Sequence, residues 1–177
     1  MTSANGSVNG ESQKTFILAT VGSTGFDDLV RAVDLVVPDL NATGLAQIGP
    51  GSYMPTNLPH ERFVPSLSEL ILKADVVVSH GGAATTLEVL SAGAKLVSTA
   101  NPDRYDDHQT DVLAELSAQG HLVWCRDLDR IGEDITRALT TDMKPIDSVT
   151  CTIGHTIDDY LSRQPQRRRS WRRKVSL

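Results

Sequence analysis

The sequence predicts an α/β protein built on a Rossmann-like, doubly wound parallel sheet, and three observations carry that reading. Short apolar, β-rich runs alternate with segments of helical periodicity from Thr15 to Leu139. The runs TFILATV and ADVVVS lack a polar face, as strands covered on both sides do. Glycine-marked breaks at Gly22-Ser23-Thr24-Gly25, Gly81-Gly82, Gly93 and Gly120 separate strand from helix. Alternating strand and helix implies crossover connections, hence parallel strands with helices over both faces.

Each element follows in order. Thr15–Val21 is the first strand, broken by the glycine loop at 22–25. Phe26–Val37 is a helix, apolar at 26, 29, 30, 33, 36 and 37, with Asp27 and Asp28 in the first turn, where carboxylates suit the helix dipole. Leu45–Ile48 is a second strand, followed by the irregular loop GPGSYMPTNLP, and Arg62-Phe63-Val64 is a short third. Ser66–Ala74 is a helix, with Ser66 as N-cap and Glu69 at capping-box spacing. Val76–Ser79 is the fourth strand, and the helix Thr85–Ala92 stops at Gly93. Lys95–Thr99 is the fifth strand; the loop ANPDRYDDHQ leads into the helix Thr110–Gln119. Leu122–Cys125 is the sixth strand, Leu128–Leu139 a helix and Ile153–Leu161 a last one.

The 177 residues are 40% hydrophobic, enough for one domain with a real core. We read residues 1–14 as a disordered lead, 15–162 as the domain and 163–177 as a basic tail. No run of 18 apolar residues exists, and the polar start has no signal-peptide centre. Cys125 and Cys151, without CxxC spacing, read as reduced thiols of a cytosolic protein. The net charge of −5 hides an asymmetry: residues 163–177 hold seven of the 17 Lys and Arg and no acid. The acidic body left behind argues against nucleic acid as a partner. The tail, RRRSWRRK, suits either solvent or an anionic membrane surface.

Three loops after strands carry the candidate chemistry, and ligands of such sheets bind beyond the strands' carboxyl ends. In SHGGAATTLE, Gly81 and Gly82 admit a close backbone approach, and Thr85 and Thr86 can donate hydrogen bonds. Glu88 can accept from two neighbouring hydroxyls, as a ribose diol requires. A glycine turn feeding a helix start is a ready anion site, so a nucleotide or nucleotide-sugar is the first expectation. In VGSTGF, Ser23 and Thr24 can offer hydroxyls beside Gly22, although the spacing is neither GxGxxG nor a GxxxxGK[ST] loop. In the third loop, Asp106, Asp107, His108 and Gln109 suit a polyhydroxy ligand. Adjacent residues rarely ligate one ion, so no metal is expected there. The Asp127/Asp129 pair reads as helix capping by Asp129. His80 and His108 are candidate general bases, although a packed or ligand-lining role is the simpler one for His80.

The segments VGSTGFDDLV, QIGPGS (47–52), ADVVVSHGGAATTLEVLSAGAKLV (74–97), DDHQTDVLAEL (106–116) and GHLVWC (120–125) together resemble the C-terminal domain of glycosyltransferase family 28. The single-domain length resembles the family's two-part branch, which acts in dolichol-linked oligosaccharide synthesis. The resemblance implies the single donor-binding half of a GT-B enzyme, without metal or other cofactor. It implies an inverting transfer of GlcNAc from UDP-GlcNAc to GlcNAc-diphospho-dolichol, on the cytosolic face of the endoplasmic reticulum. A membrane-anchored partner would hold the lipid-diphosphate-linked acceptor. By the same resemblance, Gly22, Ser23 and Thr24 and the turn Gly81-Gly82 to Thr85 contact the diphosphate. Glu88 matches the ribose-binding acid, His108 and Gln109 the sugar-contacting pair, and Phe63-Val64 the backbone at the uracil edge. The ANPDRYDD lead-in and the arginine-rich tail depart from that branch. They leave open a bacterial exopolysaccharide subunit using UDP-glucuronate or UDP-galactose; a non-catalytic UDP-binding module is a further alternative.

Overall fold

The computed structural model of the protein describes residues 14–102 and 108–146. Six parallel strands form one sheet there: β1 (Phe16–Thr20), β2 (Thr43–Gln47), β3 (His60–Glu61), β4 (Val76–His80), β5 (Leu96–Thr99) and β6 (Val123–Trp124). Helices α1 (Asp27–Val36), α2 (Leu67–Lys73), α3 (Ala83–Ser91), α4 (His108–Gln119) and α5 (Ile131–Thr140) alternate with them. The strand order is β3-β2-β1-β4-β5-β6, so the chain winds outward in both directions from the β1/β4 pair. The doubly wound sheet is the fold expected.

The apolar runs divide by parity between two cores. Ile17 and Ala19 of β1, with Val76 and Val78 of β4, face Leu29, Val30 and Val33 of α1 and Ile131 and Ile135 of α5. Leu18 and Val77 face Ile71 of α2, Val89 of α3 and Leu113 of α4. Each such Val, Leu or Ile side chain removed from water contributes about 1.5–3 kcal/mol, which is why neither face of a central strand tolerates polar alternation.

Several boundaries differ from the sequence reading. The third strand is His60–Glu61, not Arg62-Phe63-Val64, and it pairs with Ala46 and Gln47. Both of its residues are exposed and Phe63 is 60% exposed. Ala46 N–H donates to Pro59 O and Ile48 N–H to Glu61 O, so backbone bonds mark this edge strand and apolar content points two residues too far along the chain. α3 begins at Ala83 rather than Thr85, with Gly82 as N-cap and Thr86 N–H donating to Gly82 O at 2.9 Å. Thr85 and Thr86 are therefore buried first-turn residues. α4 opens at His108, two residues early. The Leu128 segment begins as a 3-10 turn, Leu128–Arg130, capped by Asp127, whose Oδ1 accepts from Asp129 N–H at 3.0 Å. Asp129 is thus the capped residue and not the cap. Ser66 caps α2 as expected, its hydroxyl accepting from Glu69 N–H. The helix expected at Ile153–Leu161, Cys151 and the arginine-rich tail lie outside the described residues.

Among the described residues no helix is long and apolar enough to cross a membrane.

Candidate functional site

Thr20 of β1 pairs with Ser79 of β4, so the segments after them, Gly22–Gly25 and Gly81-Gly82, leave the sheet side by side. β5 lies beyond β4, which brings Ala100-Asn101 to the same edge. The described parts of the three loops thus share one edge, at the carboxyl end of the strands where the winding reverses. That crevice is where open α/β sheets bind ligands.

The centre of the crevice is a buried imidazole between two glycines. A methyl group on Gly22 would lie 3.0 Å from His80 Cε1 and 3.6 Å from Thr85 Oγ1. A methyl on Gly82 would strike His80 Nε2 and lie 3.1 Å from Cε1. Gly22 also has φ +61°, a region that L side chains rarely adopt. Four of the expected residues, Gly22, His80, Gly82 and Thr85, therefore form one packed cluster. His80 is only 5% exposed, which makes it a wall of the crevice and a poor fit to the general-base role.

Counting the backbone donors locates the open ones. Gly81 N–H donates to Thr99 O at 2.6 Å and Gly82 N–H to His80 O at 2.8 Å. The glycine pair thus gives close approach but not free donors, which corrects part of the anion-site argument. With Thr86 making the first helical bond and no side chain capping α3, the N–H groups of Ala83, Ala84 and Thr85 have no acceptor among the described residues. α1 is different, because Asp27 and Asp28 occupy its first turn and answer its dipole themselves. Thr24 also spends its hydroxyl proton on Val21 O at 3.0 Å, so it is not the free donor expected, whereas Ser23 is exposed.

Other predicted residues lie further out. Glu88, exposed on α3, accepts from Ser68 Oγ at 2.7 Å across the start of α2. Gln109 Oε1 accepts from Asn101 N–H at 3.5 Å, and Asn101 Nδ2 donates to Gly25 O at 3.3 Å. Asn101 thereby joins the third loop to the first. Phe63 and Val64 follow β3, the edge strand beyond β2, on the far side of β1 from β4. Of His108 only the backbone, at the start of α4, is described; Asp106 and Asp107 lie outside the described residues.

Sequence reasoning missed three supports. Gln47, only 4% exposed, accepts from Thr20 Oγ1 at 2.5 Å and Gly22 N–H at 3.1 Å. Its Nε2 donates to Gly22 O at 2.7 Å and Arg62 O at 2.8 Å. Arg62 in turn donates to Gly49 O and Gly51 O, holding the GPGS loop. Asp34, fully buried on α1, accepts from the N–H groups of Thr56, Asn57 and Leu58 and from Tyr53 Oη, at 2.8–2.9 Å. Burial pushes its carboxyl up, but the hydrogen bonds from Thr56, Tyr53, Asn57 and Leu58 outweigh burial and hold it below 3.8. No local pattern marks these residues; an isolated Gln or Asp in an amphipathic stretch reads as solvent-facing.

Two cavities frame the assignment. One of about 200 Å³ opens at the same edge, lined by Gly25, Phe26, Asp27, Asp28 and Gly51. A larger groove of about 290 Å³ lies at β6 among Trp124, Arg126, Asp127, Arg130, Asp134 and Arg137. Its arginines are engaged: Arg130 with Glu133 at 2.6 Å, Arg137 with Asp134 at 2.8 Å, and Arg126 stacked on Trp124 at 4.1 Å. It therefore competes poorly as a diphosphate site. Nearby, burial first and Asp134 second push the Cys125 thiol up to about 12, so this cysteine is an inert core residue.

Comparison with known proteins agrees with this geometry. The family model described as "Glycosyltransferase family 28 C-terminal domain" matches residues 16–152. The chain is 36% identical over 124 residues to the UDP-N-acetylglucosamine transferase subunit ALG13 of Homo sapiens, covering 62% of this chain and 11% of that one. The Mus musculus protein of the same name is 35% identical over 119 residues, 60% of this chain and 10% of its own. The chain thus spans about a tenth of the length of these curated relatives. Among solved structures, an NMR structure of ALG13 superposes with a TM-score of 0.58 at 15% identity, over 81% of this chain and 94% of that one. MurG of Acinetobacter baumannii gives 0.58 at 20% identity, over 86% of this chain and 51% of its own. At such identities the superpositions speak for fold alone, one Rossmann-like half of the GT-B architecture. On the span of the family match, with the crevice where the fold places it, the chain belongs to the glycosyltransferase family 28 C-terminal domain family.

Proposed function

We propose that the chain is the catalytic, donor-binding subunit of a UDP-sugar-dependent glycosyltransferase. It adds the second GlcNAc to GlcNAc-diphospho-dolichol, with inversion, beside a membrane-anchored partner on the cytosolic face of the endoplasmic reticulum. The observation that carries the reading is the Gly22–His80–Gly82–Thr85 cluster beside the uncapped N-terminus of α3. The names of the human and mouse relatives supply the sugar and the word subunit.

The chemistry is a displacement at the anomeric carbon in which the acceptor oxygen forms the new bond and UDP leaves. Negative charge grows on the departing diphosphate. The N–H groups of Ala83, Ala84 and Thr85 meet it with a preorganised dipole, worth about 0.3–1 kcal/mol for an exposed helix end and up to ~2 in a partly buried one. No metal is proposed, because the helix end does that work. Ser23 extends the diphosphate contact, Glu88 takes the ribose diol, Gln109 with His108 takes the sugar hydroxyls, and the backbone at Phe63-Val64 meets the uracil edge. His80 is a wall, so the base that deprotonates the acceptor is assigned to the partner's side.

The test is transfer of labelled GlcNAc from UDP-GlcNAc to GlcNAc-diphospho-dolichol in membranes containing the partner, with and without the full chain. Added chain should restore the two-GlcNAc product. Transfer only from UDP-glucuronate or UDP-galactose would move the chain to the exopolysaccharide branch. UDP binding without turnover would make it a non-catalytic module.

A further inference from the structure

Gln47 sits on neither a loop nor a helix start, yet one side chain makes four of the hydrogen bonds that shape the crevice. Its carboxamide is buried at the end of β2, and both of its ends are used. Oε1 receives Gly22 N–H and the Thr20 hydroxyl, while Nε2 serves Gly22 O and Arg62 O. Only a neutral amide presents an acceptor and two donors from one planar group, so neither Glu nor Leu can reproduce the set. The amide thus brackets the Gly22 residue from both of its backbone polar groups, at the position with φ +61° that faces His80 and Thr85. The second Nε2 bond reaches the carbonyl just before Phe63-Val64, so one group ties the β1 loop to the β3 loop.

We infer that Gln47 is a positioning residue for the nucleotide: its amide fixes the Gly22 peptide and the Arg62 carbonyl in the mutual placement that donor binding needs. This rests on the proposed nucleotide site. It adds a residue that touches no ligand and acts through two segments that do. A glycine loop left to itself samples many conformations, and preorganising it removes that cost from binding.

The experiment uses the full chain with Gln47→Glu and Gln47→Met, at a temperature where each variant is fully folded by circular dichroism. Glu keeps the acceptor but turns carboxylate lone pairs toward two carbonyl oxygens; Met keeps the volume and removes every bond. The first readout is amide hydrogen exchange by NMR at Gly22 relative to Val77 in the centre of β4. The second is UDP affinity by calorimetry. Gly22 exchange should accelerate about tenfold or more in both variants while Val77 changes only with global stability, and UDP affinity should fall by about tenfold or more. Unchanged Gly22 exchange relative to Val77 overturns the positioning role whatever the ligand does. Accelerated exchange with wild-type UDP affinity overturns its link to binding. If the unaltered chain binds no UDP even beside its partner, the site reading fails, and the positioning of a nucleotide fails with it.

Discussion

Gly82→Ala tests the packing at the heart of the crevice. Gly82 has φ −68° and ψ 126°, a conformation open to alanine, so the substitution carries no backbone strain. The effect is steric: the new methyl strikes His80 Nε2 and lies 3.1 Å from Cε1 and 3.2 Å from Cδ2. On its other side the ring lies against Gly22, whose Cβ position would be 3.0 Å from Cε1. Overpacking of this kind costs about 1–3 kcal/mol. Removing the obstacle should recover much of the loss, so His80→Ala and the double variant complete a cycle. Urea unfolding followed by circular dichroism should give a coupling of about 1 kcal/mol or more, with the double variant more stable than additivity predicts. Additive losses, or a Gly82→Ala protein as stable as the parent, would refute the wedge of His80 between the glycines.

Three further outcomes follow from the same structure. Asp34→Asn turns an NH2 toward Thr56 N–H and Tyr53 Oη, so unfolding free energy should fall by about 2–3 kcal/mol, as expected for a buried donor left unsatisfied beside a lost charge-assisted bond. Because the folded-state carboxyl titrates below its ordinary value, its contribution is complete above the unfolded pKa and is lost as pH falls through the folded pKa. The wild type should therefore lose stability on acidification below about pH 4 more steeply than Asp34→Asn, and parallel acid profiles would contradict this. In a Cys151→Ser background, Cys125 should resist iodoacetamide at pH 8 until urea unfolds the chain, since burial holds its thiol near about 12; prompt native labelling would show that the site is open. Glu88→Ala should weaken UDP by about tenfold or more yet leave a dideoxyribose analogue unaffected, and equal losses for both ligands would remove Glu88 from the ribose.

What the sequence shows of this fold is what depends on burial by parity and on local caps. β1 and β4 were readable because two covered faces leave no room for polar alternation. α2 was readable because Ser66 lies three residues from Glu69. β3 was not, since two exposed residues on a sheet edge carry no apolar signal. The true start of α3 is hidden because its N-cap, Gly82, offers only its backbone and leaves no side-chain signal. The crevice divided in the same way. Gly22, Gly82 and Thr85 announced themselves by composition, whereas Gln47 and Asp34 act on partners 15–27 residues away, which no local pattern reveals. The donor count was also invisible, since Gly81 and Gly82 look free until the β4–β5 ladder is seen to extend through Gly81.

The most direct measurement is a residue-by-residue NMR map of UDP titrated into the full chain, alone and with the membrane partner. The account predicts saturable shifts of the amides of Gly22, Ala83, Ala84 and Thr85, with the β6 groove around Trp124 and Arg130 unmoved. Shifts confined to that groove, or none in either preparation, would contradict it.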